Sequence, residues 1–254
     1  MRRYLLIGTL LAMTLSASPA NAALVSYWAG DGNAHDSVGA NSGTLVGGAT
    51  FAPGLFGQAF KFDGTSYFQA PTIGLPTGNH DRTLDLWFNV NAYSDTAEEA
   101  FLAGYGAFGS LGQAYEILVV HFNPGIPPID KVAFSQWGNG FVGGRAIQTG
   151  TWHNLGVTNS TGFVTLYLDG TAEVTETLSI DTPSNTNFYI GRIPGALGKI
   201  RQLEGLVDEV RVYDTALSAS EMKALAMIPE PGTGLLVMTG LLGLAASRRR
   251  RVSR

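Results

Sequence analysis

Any chemistry in this 254-residue chain must come from oxygen and imidazole, because it contains no cysteine and only four histidines. Disulfides and thiolate metal sites are thereby excluded. His35, His80, His121 and His153 form no pair with zinc-ligand spacing, and no Gly-x-Ser-x-Gly nucleophile elbow is present. Retaining glycoside hydrolysis needs two carboxyl groups about 5 Å apart, which a strand supplies at positions two or four apart on one face. No Glu-x-Asp-x-Glu run occurs. Glu98 and Glu99 are adjacent, and Glu173 and Glu176 are three apart, on opposite sides of a strand. These read as solvated charges, so no catalytic residue is expected.

Asp208 is the most chemically suggestive carboxylate. Alternation puts Leu206, Asp208, Val210 and Val212 on one face of a strand, with Val207, Glu209, Arg211 and Tyr213 on the other. If the aliphatic row faces the core, an unpaired charge there is strongly unfavourable and requires a partner. The loop Ala29 to Gly39 offers Asp31, Asn33 and Asp36 as oxygen donors, so a structural calcium ion is one solution. Backbone amides, or an arginine such as Arg192 or Arg201, are the other. The loop is no EF-hand, since His35 stands at the third ligand position of that motif.

Two glycine-flanked aromatic segments suggest binding: Gly104 to Gly109, with Tyr105 and Phe108, and Gln136 to Phe141, with Trp137, Asn139 and Phe141. Small neighbours leave ring faces open to stack on the apolar faces of sugars, while Asn139 and Gln113 could bond hydroxyls. The competing reading is that these rings merely cover the ends of the fold. Trp28, Trp87 and Trp152 lie in strand-like runs and are expected in the core.

The elements that must position these residues are β-strands. Short period-two runs separated by Gly, Asn, Asp and Pro predict strands at 24–28, 59–62, 67–70, 83–91, 115–122, 131–136, 152–159, 163–169, 187–191 and 206–213. Asp63-Gly64 and Asp169-Gly170 read as hairpin turns. Ser218 followed by Glu221 predicts a capping box opening a short helix. The pattern indicates an all-β fold of two antiparallel sheets packed face to face, in jelly-roll order or a relative of it.

The order of local motifs resembles the LamG-like members of the concanavalin A-like lectin/glucanase superfamily. The matching pieces begin with Leu24 to Trp28, Asp31 to Ser37, Phe56 to Gly64 and Thr83 to Phe88, and continue with Trp152 to Thr158, Leu166 to Gly170, Gly205 to Tyr213 and Ala216 to Glu221. The resemblance implies a β-sandwich over nearly all of residues 23–226, and a structural calcium near Asp36 and Asp208, with Asp31 a further ligand. It implies no particular activity.

The ends carry addresses. Arg2-Arg3, an apolar stretch from Tyr4 to Leu15 and Ala20-Asn21-Ala22 make residues 1–22 a secretory signal peptide. Residues 227–254 hold Pro229, Glu230 and Pro231, an uncharged segment 232–246, and Arg248, Arg249, Arg250 and Arg251. As a short transmembrane helix that segment spans roughly 22 Å, less than the ~30 Å hydrocarbon core, so it anchors weakly and transiently, with the arginines held on the cytoplasmic side. The tail resembles a PEP-CTERM sorting signal. That resemblance implies an exosortase-type processing enzyme as partner, and an envelope or extracellular-matrix destination in a Gram-negative bacterium after secretion across the inner membrane.

Seven of the 16 basic residues and one of the 20 acidic residues, Glu230, belong to these two end segments, leaving 9 against 19, about −10. A domain so acidic and without a basic cluster is unsuited to nucleic acid or anionic lipid. A secreted carbohydrate-binding or matrix-interaction protein, with a polysaccharide or matrix component as partner, is the expectation. A structural biofilm or surface protein without a specific ligand is the alternative, and a carbohydrate-active hydrolase is the remoter one.

Overall fold

The computed structural model describes residues 22–91, 99–122, 129–194 and 202–227. The signal peptide through Asn21, the sorting tail from Ile228 with Pro229, Glu230, Pro231 and Arg248 to Arg251, and also Glu98 and Arg201, lie outside the described residues.

Strands β1 Leu24–Trp28, β2 Thr44–Val46, β3 Thr50–Pro53, β4 Gln58–Asp63 and β5 Tyr67–Pro71 come first. They are followed by β6 Arg82–Val90, β7 Glu99–Gly106, β8 Ala114–Phe122, β9 Ile129–Ser135 and β10 Gly140–Ile147. The series closes with β11 His153–Ser160, β12 Phe163–Leu168, β13 Thr171–Thr177, β14 Asn187–Ile190, β15 Glu204–Tyr213 and the helix α1 Ala219–Leu225. One sheet has eight strands, ordered β13-β12-β11-β6-β15-β4-β3 with β1 also paired to β15; the other has seven, ordered β10-β9-β8-β7-β14-β5-β2. Their inner faces enclose one core in which Trp28 meets Phe188 at 4.6 Å and Phe68 at 5.7 Å between ring centroids.

All the expected strands are present. β2, β3, β7, β10 and β13 are additional. β7 and β10 escape a period-two search because glycines interrupt them and because β7 is buried along nearly its whole length, which erases the alternation. Asp63-Gly64 is not a hairpin turn: β4 lies in the eight-stranded sheet and β5 in the seven-stranded one, so the chain changes sheets there. The Asp63 carboxylate accepts the amides of Thr65 and Ser66, both at 3.0 Å, and holds that corner. Asp169-Gly170 does join a hairpin, β12 to β13, with φ of 51° and 69°. The capping box of Ser218 and Glu221 is formed.

A β-bulge overturns the expected facing of the last strand. Glu209 has φ 57°, and the register to β6 shifts between Asp208 and Arg211. Val207, Val210 and Val212 therefore all point into the core, whereas Asp208 pairs with Trp87 on the outer face, where both are buried.

Arg82 is fully buried between the sheets, and all five of its N–H donors are used. Nε donates to His80 O, Nη1 to Pro76 O and the Tyr105 hydroxyl, and Nη2 to Thr77 O and Gly78 O. Its guanidinium lies 5.0 Å from the Tyr115 ring centre and 5.9 Å from that of Tyr105. One side chain thus ties the 76–80 loop to the core.

Candidate functional site

The outer face of the seven-stranded sheet carries a row of aromatic rings. In β5 and β14, Phe68, Phe188 and Ile190 point inward, so Tyr67 and Tyr189 between them point out. Their rings meet at 6.0 Å. Phe108, just beyond β7, continues the row at 5.9 Å from Tyr189, and Trp137, in the turn between β9 and β10, lies 6.3 Å from Phe108. All four are half-buried, leaving part of each ring accessible.

Beneath and beside the row the backbone is shaped to keep it open. Tyr189 stands across from Gly104, and Gly104 across from Glu116. A Cβ on Gly104 would come within 2.7 Å of the Glu116 Cβ and 2.6 Å of the Tyr115 carbonyl oxygen, so no side chain fits there. Glu116 is fully buried below the row. Trp137 has φ 69°, a left-handed conformation that a bulky residue rarely adopts, and its amide donates to Ser135 Oγ at 3.0 Å. That strained turn holds the indole over Phe108. Leu111, 79% exposed, lies against Gly138 and prolongs the apolar strip.

The aromatic residues expected at a site divide into two groups. Phe108 and Trp137 are in the row, and Asn139 is exposed two positions beyond Trp137, its Oδ1 accepting the Gly140 amide at 2.9 Å. Tyr105 and Phe141 are not in it. Tyr105 sits on β7 facing the core, its hydroxyl donating to Pro76 O at 2.8 Å, and Phe141 on β10 packs against Phe134 at 5.6 Å. Tyr105 and Phe141 fall on the strand portions of the two glycine-flanked segments, in β7 and β10, and strand parity turns these two rings inward. Tyr67 and Tyr189 went unrecognised, although Tyr189 stands between the inward Phe188 and Ile190, and Tyr67 beside the inward Phe68.

The proposed metal carboxylates also separate. The β3–β4 turn folds over Asp208, whose Oδ2 accepts the amides of Leu55 and Phe56, both at 3.0 Å, while Oδ1 is buried without a hydrogen-bond partner. Burial pushes Asp208 up to about 7, and the charges of Glu209 and Asp31 add to the rise. Asp31 reaches the same turn, Oδ1 accepting the Gln58 amide at 2.8 Å. Asp36 is engaged elsewhere: its carboxylate accepts the amides of Tyr27, Val38, Gly39 and Asn41, which outweigh its partial burial and hold it below the usual range. Arg192 donates to Thr65 O rather than to Asp208. Among the described residues no three carboxylate or imidazole side chains gather as a metal cage.

The opposite outer face is closed. Asp85, fully buried, accepts from Asn154 Nδ2 at 3.0 Å and pairs with Arg211 at 3.4 Å; Arg211 also pairs with Glu209, which accepts from the Tyr27 hydroxyl at 2.7 Å. A cavity of about 390 Å³ lies beside this network, between Phe56 and Trp87 on one side and Leu225 and Met227 on the other.

A two-sheet antiparallel sandwich with an open aromatic face is the architecture of lectin-like domains. The family model for the concanavalin A-like lectin/glucanases superfamily matches residues 62–223, well over half the chain, and the chain belongs to that superfamily. A PEP-CTERM protein-sorting motif matches residues 228–251. Together they define an exported protein of the envelope or cell exterior with a carbohydrate-binding type of domain.

Among solved structures, domain 4 of AbnA, a GH43 extracellular arabinanase from Geobacillus stearothermophilus determined in complex with arabinotriose, is similar with 22% identity and a TM-score of 0.62, over 81% of this chain and 99% of that one. The botulinum neurotoxin serotype G binding domain shares 13% identity at a TM-score of 0.58, over 80% of this chain and 50% of its own. Trypanosoma rangeli sialidase in complex with the inhibitor DANA shares 18% at 0.58, over 88% and 36%. Relatives this distant show the fold alone, and the chain spans only about half and about a third of the last two. No curated protein sequence matches the chain.

Proposed function

We propose that this protein is a carbohydrate-binding protein of the bacterial envelope or extracellular matrix, and that it grips a glycan along Tyr67, Tyr189, Phe108 and Trp137. The observation that carries the reading is this row of half-exposed rings, held open by Gly104 and by the strained turn at Trp137. Sugar rings have apolar C–H faces that stack on such surfaces, and hydroxyls at their edges find donors and acceptors in Asn139, Asn187 and Gln69. The arabinotriose complex of the similar arabinanase domain is in keeping with an oligosaccharide ligand. The row supplies stacking rather than a pair of opposed carboxyl groups, so the proposal is binding without hydrolysis.

Pull-down on insoluble polysaccharides, with the producer's own exopolysaccharide included, tests this. Trp137→Ala and Tyr189→Ala should each weaken retention about tenfold, the equivalent of one ring-stacking interaction of ~1.4 kcal/mol, with the melting temperature unchanged. Equal retention of wild type and both variants would remove the row from the proposal. Release of reducing sugar by the wild type would instead make the protein a hydrolase.

In this reading residues 1–22 are removed on export, residues 23–226 form the binding domain, and residues 227–254 hold the chain briefly in the membrane until an exosortase-type enzyme processes it. In this reading a structural calcium ion would be held at Asp208. Asp208 Oδ1 is a carboxyl oxygen, buried and without a hydrogen-bond partner, and Asp31 reaches the same turn. Hard oxygen donors suit calcium, and the ion would neutralise two carboxylates and tie the loop after β1 to β15. Asp36 would then act as the backbone cap of that loop rather than as a ligand.

A further inference from the structure

Both ends of the domain emerge on one face. A second, small hydrophobic cluster of Tyr167, Leu217 and Met222 lies outside the main core, and Ala22, Tyr213 and Leu225 pack against it. Tyr167 alternates with the core residues Leu166 and Leu168, and Met222 sits over Gly156 between the core residues Leu155 and Val157, so this cluster is on the outer face of the eight-stranded sheet. Ala23 is clamped there by Asp214, its amide donating to Asp214 Oδ1 at 3.0 Å while the Asp214 amide donates to Ala23 O at 3.1 Å. Met227 leaves from the rim of the cavity beside Trp87, on the same face. The aromatic row is on the outer face of the other sheet.

We infer that, while the tail holds the protein at the membrane, the aromatic row faces away from that membrane and therefore engages a glycan polymer in the surroundings rather than glycolipid headgroups of the anchoring bilayer. The inference rests on the reading of residues 232–246 as the membrane-held segment and deepens the binding role of the row. The reason is reach. Only Ile228 to Pro231 separate Met227 from the apolar run that begins at Gly232, so the span from Met227 to Gly232 is at most about 17 Å even fully extended. Two sheets about 10 Å apart, with a helix about 10 Å across laid on one of them, put more than that between the exit face and the row. The short link cannot bring the far face round to the lipid. Processing of the tail then releases the protein without unmasking the site, which is open beforehand.

The chain has no cysteine, so single labels can be placed cleanly. Ser110→Cys, beside the row, and Lys223→Cys, on α1, are both exposed positions and would each carry a fluorophore in the full chain, reconstituted in vesicles containing a headgroup-linked quencher. The Lys223 label should lose emission and the Ser110 label should keep it. Equal or stronger loss at Ser110 overturns the proposal. So does loss at Ser110 that appears only when a ganglioside is included in the vesicles, which would make a membrane glycolipid the partner. Failure of the chain to float with the vesicles sinks the anchoring premise and this inference with it. None of these readings depends on polysaccharide retention, so the glycan proposal and the orientation can fail separately.

Discussion

The two outer faces of the sandwich are built by opposite rules. On the eight-stranded sheet, α1, the β3–β4 turn and both ends of the domain cover the surface, and the polar groups beneath are locked together as Asp85, Asn154, Arg211, Glu209 and Tyr27. On the seven-stranded sheet a row of half-buried rings runs along the outer face, with Glu116 buried beneath it. A covered face whose buried polar groups are linked in this way is suited to attachment. An open face of aromatic rings retains apolar surface in water, the condition for recruiting a ligand that has apolar faces of its own.

The strongest way to break this comparison is to treat rings of the interior as if they belonged to the site. Tyr105→Ala should lower stability by about 3–5 kcal/mol, the usual result of emptying a buried aromatic position, and would also remove the hydroxyl that accepts from Arg82. Denaturant titration reads that loss, while polysaccharide retention of the folded fraction stays unchanged. Trp137→Ala should do the reverse. If Tyr105→Ala weakens binding with no change in stability, the division between core and site is misplaced.

Next in size is the calcium expectation on the covered face. With free calcium at a hundred times its dissociation constant, the fold should gain about 2.7 kcal/mol, seen as a higher melting temperature that chelator reverses. Asp208→Asn and Asp31→Asn should each abolish the gain, and Asp36→Asn should lower stability with or without calcium, because it caps amides. A calcium-independent melting temperature in the wild type would discard the ion.

The helix that helps close the covered face depends on its cap. Ser218→Ala should cost about 1 kcal/mol and leave polysaccharide retention intact, since α1 is on the far side from the row. Reduced retention in this variant would couple two faces that are here held to be independent.

The smallest effect is a matter of pH. Burial raises Asp85 from 3.8 to about 6, against the pull of Arg211 and the Asn154 amide. A carboxyl raised on folding holds its proton more tightly in the native state. Its contribution to stability is therefore complete below about pH 4 and is lost as pH climbs through about 6. Melting temperatures from pH 4 to 7 should accordingly decline less steeply in Asp85→Asn than in the wild type. Parallel curves would mean that Asp85 keeps an ordinary affinity for its proton.

Local chemistry made much of this legible in the chain. Alternation located ten of the fifteen described strands, Asp169-Gly170 the hairpin, Ser218 and Glu221 the helix start, and motif order the family, because each depends on neighbours within a few residues. Half the aromatic site was legible too, at Phe108 and Trp137. Its other half, Tyr67 and Tyr189, comes from strands far apart in sequence that meet only through the pairing of β14 with β5.

The residues alone determined that the protein is an all-β sandwich with a sorting tail, since period-two patterning and a terminal run of uncharged residues before arginines are properties of the primary chain. Tertiary structure decided which way side chains face. Because strand parity has a period of two, one extra residue at the Glu209 bulge moved Asp208 from the expected core row to the outer face, and glycine-broken strands carried Tyr105 and Phe141 inward. Which residues share a surface depends on sheet order and register, and these are set by long-range packing that no local run of sequence contains.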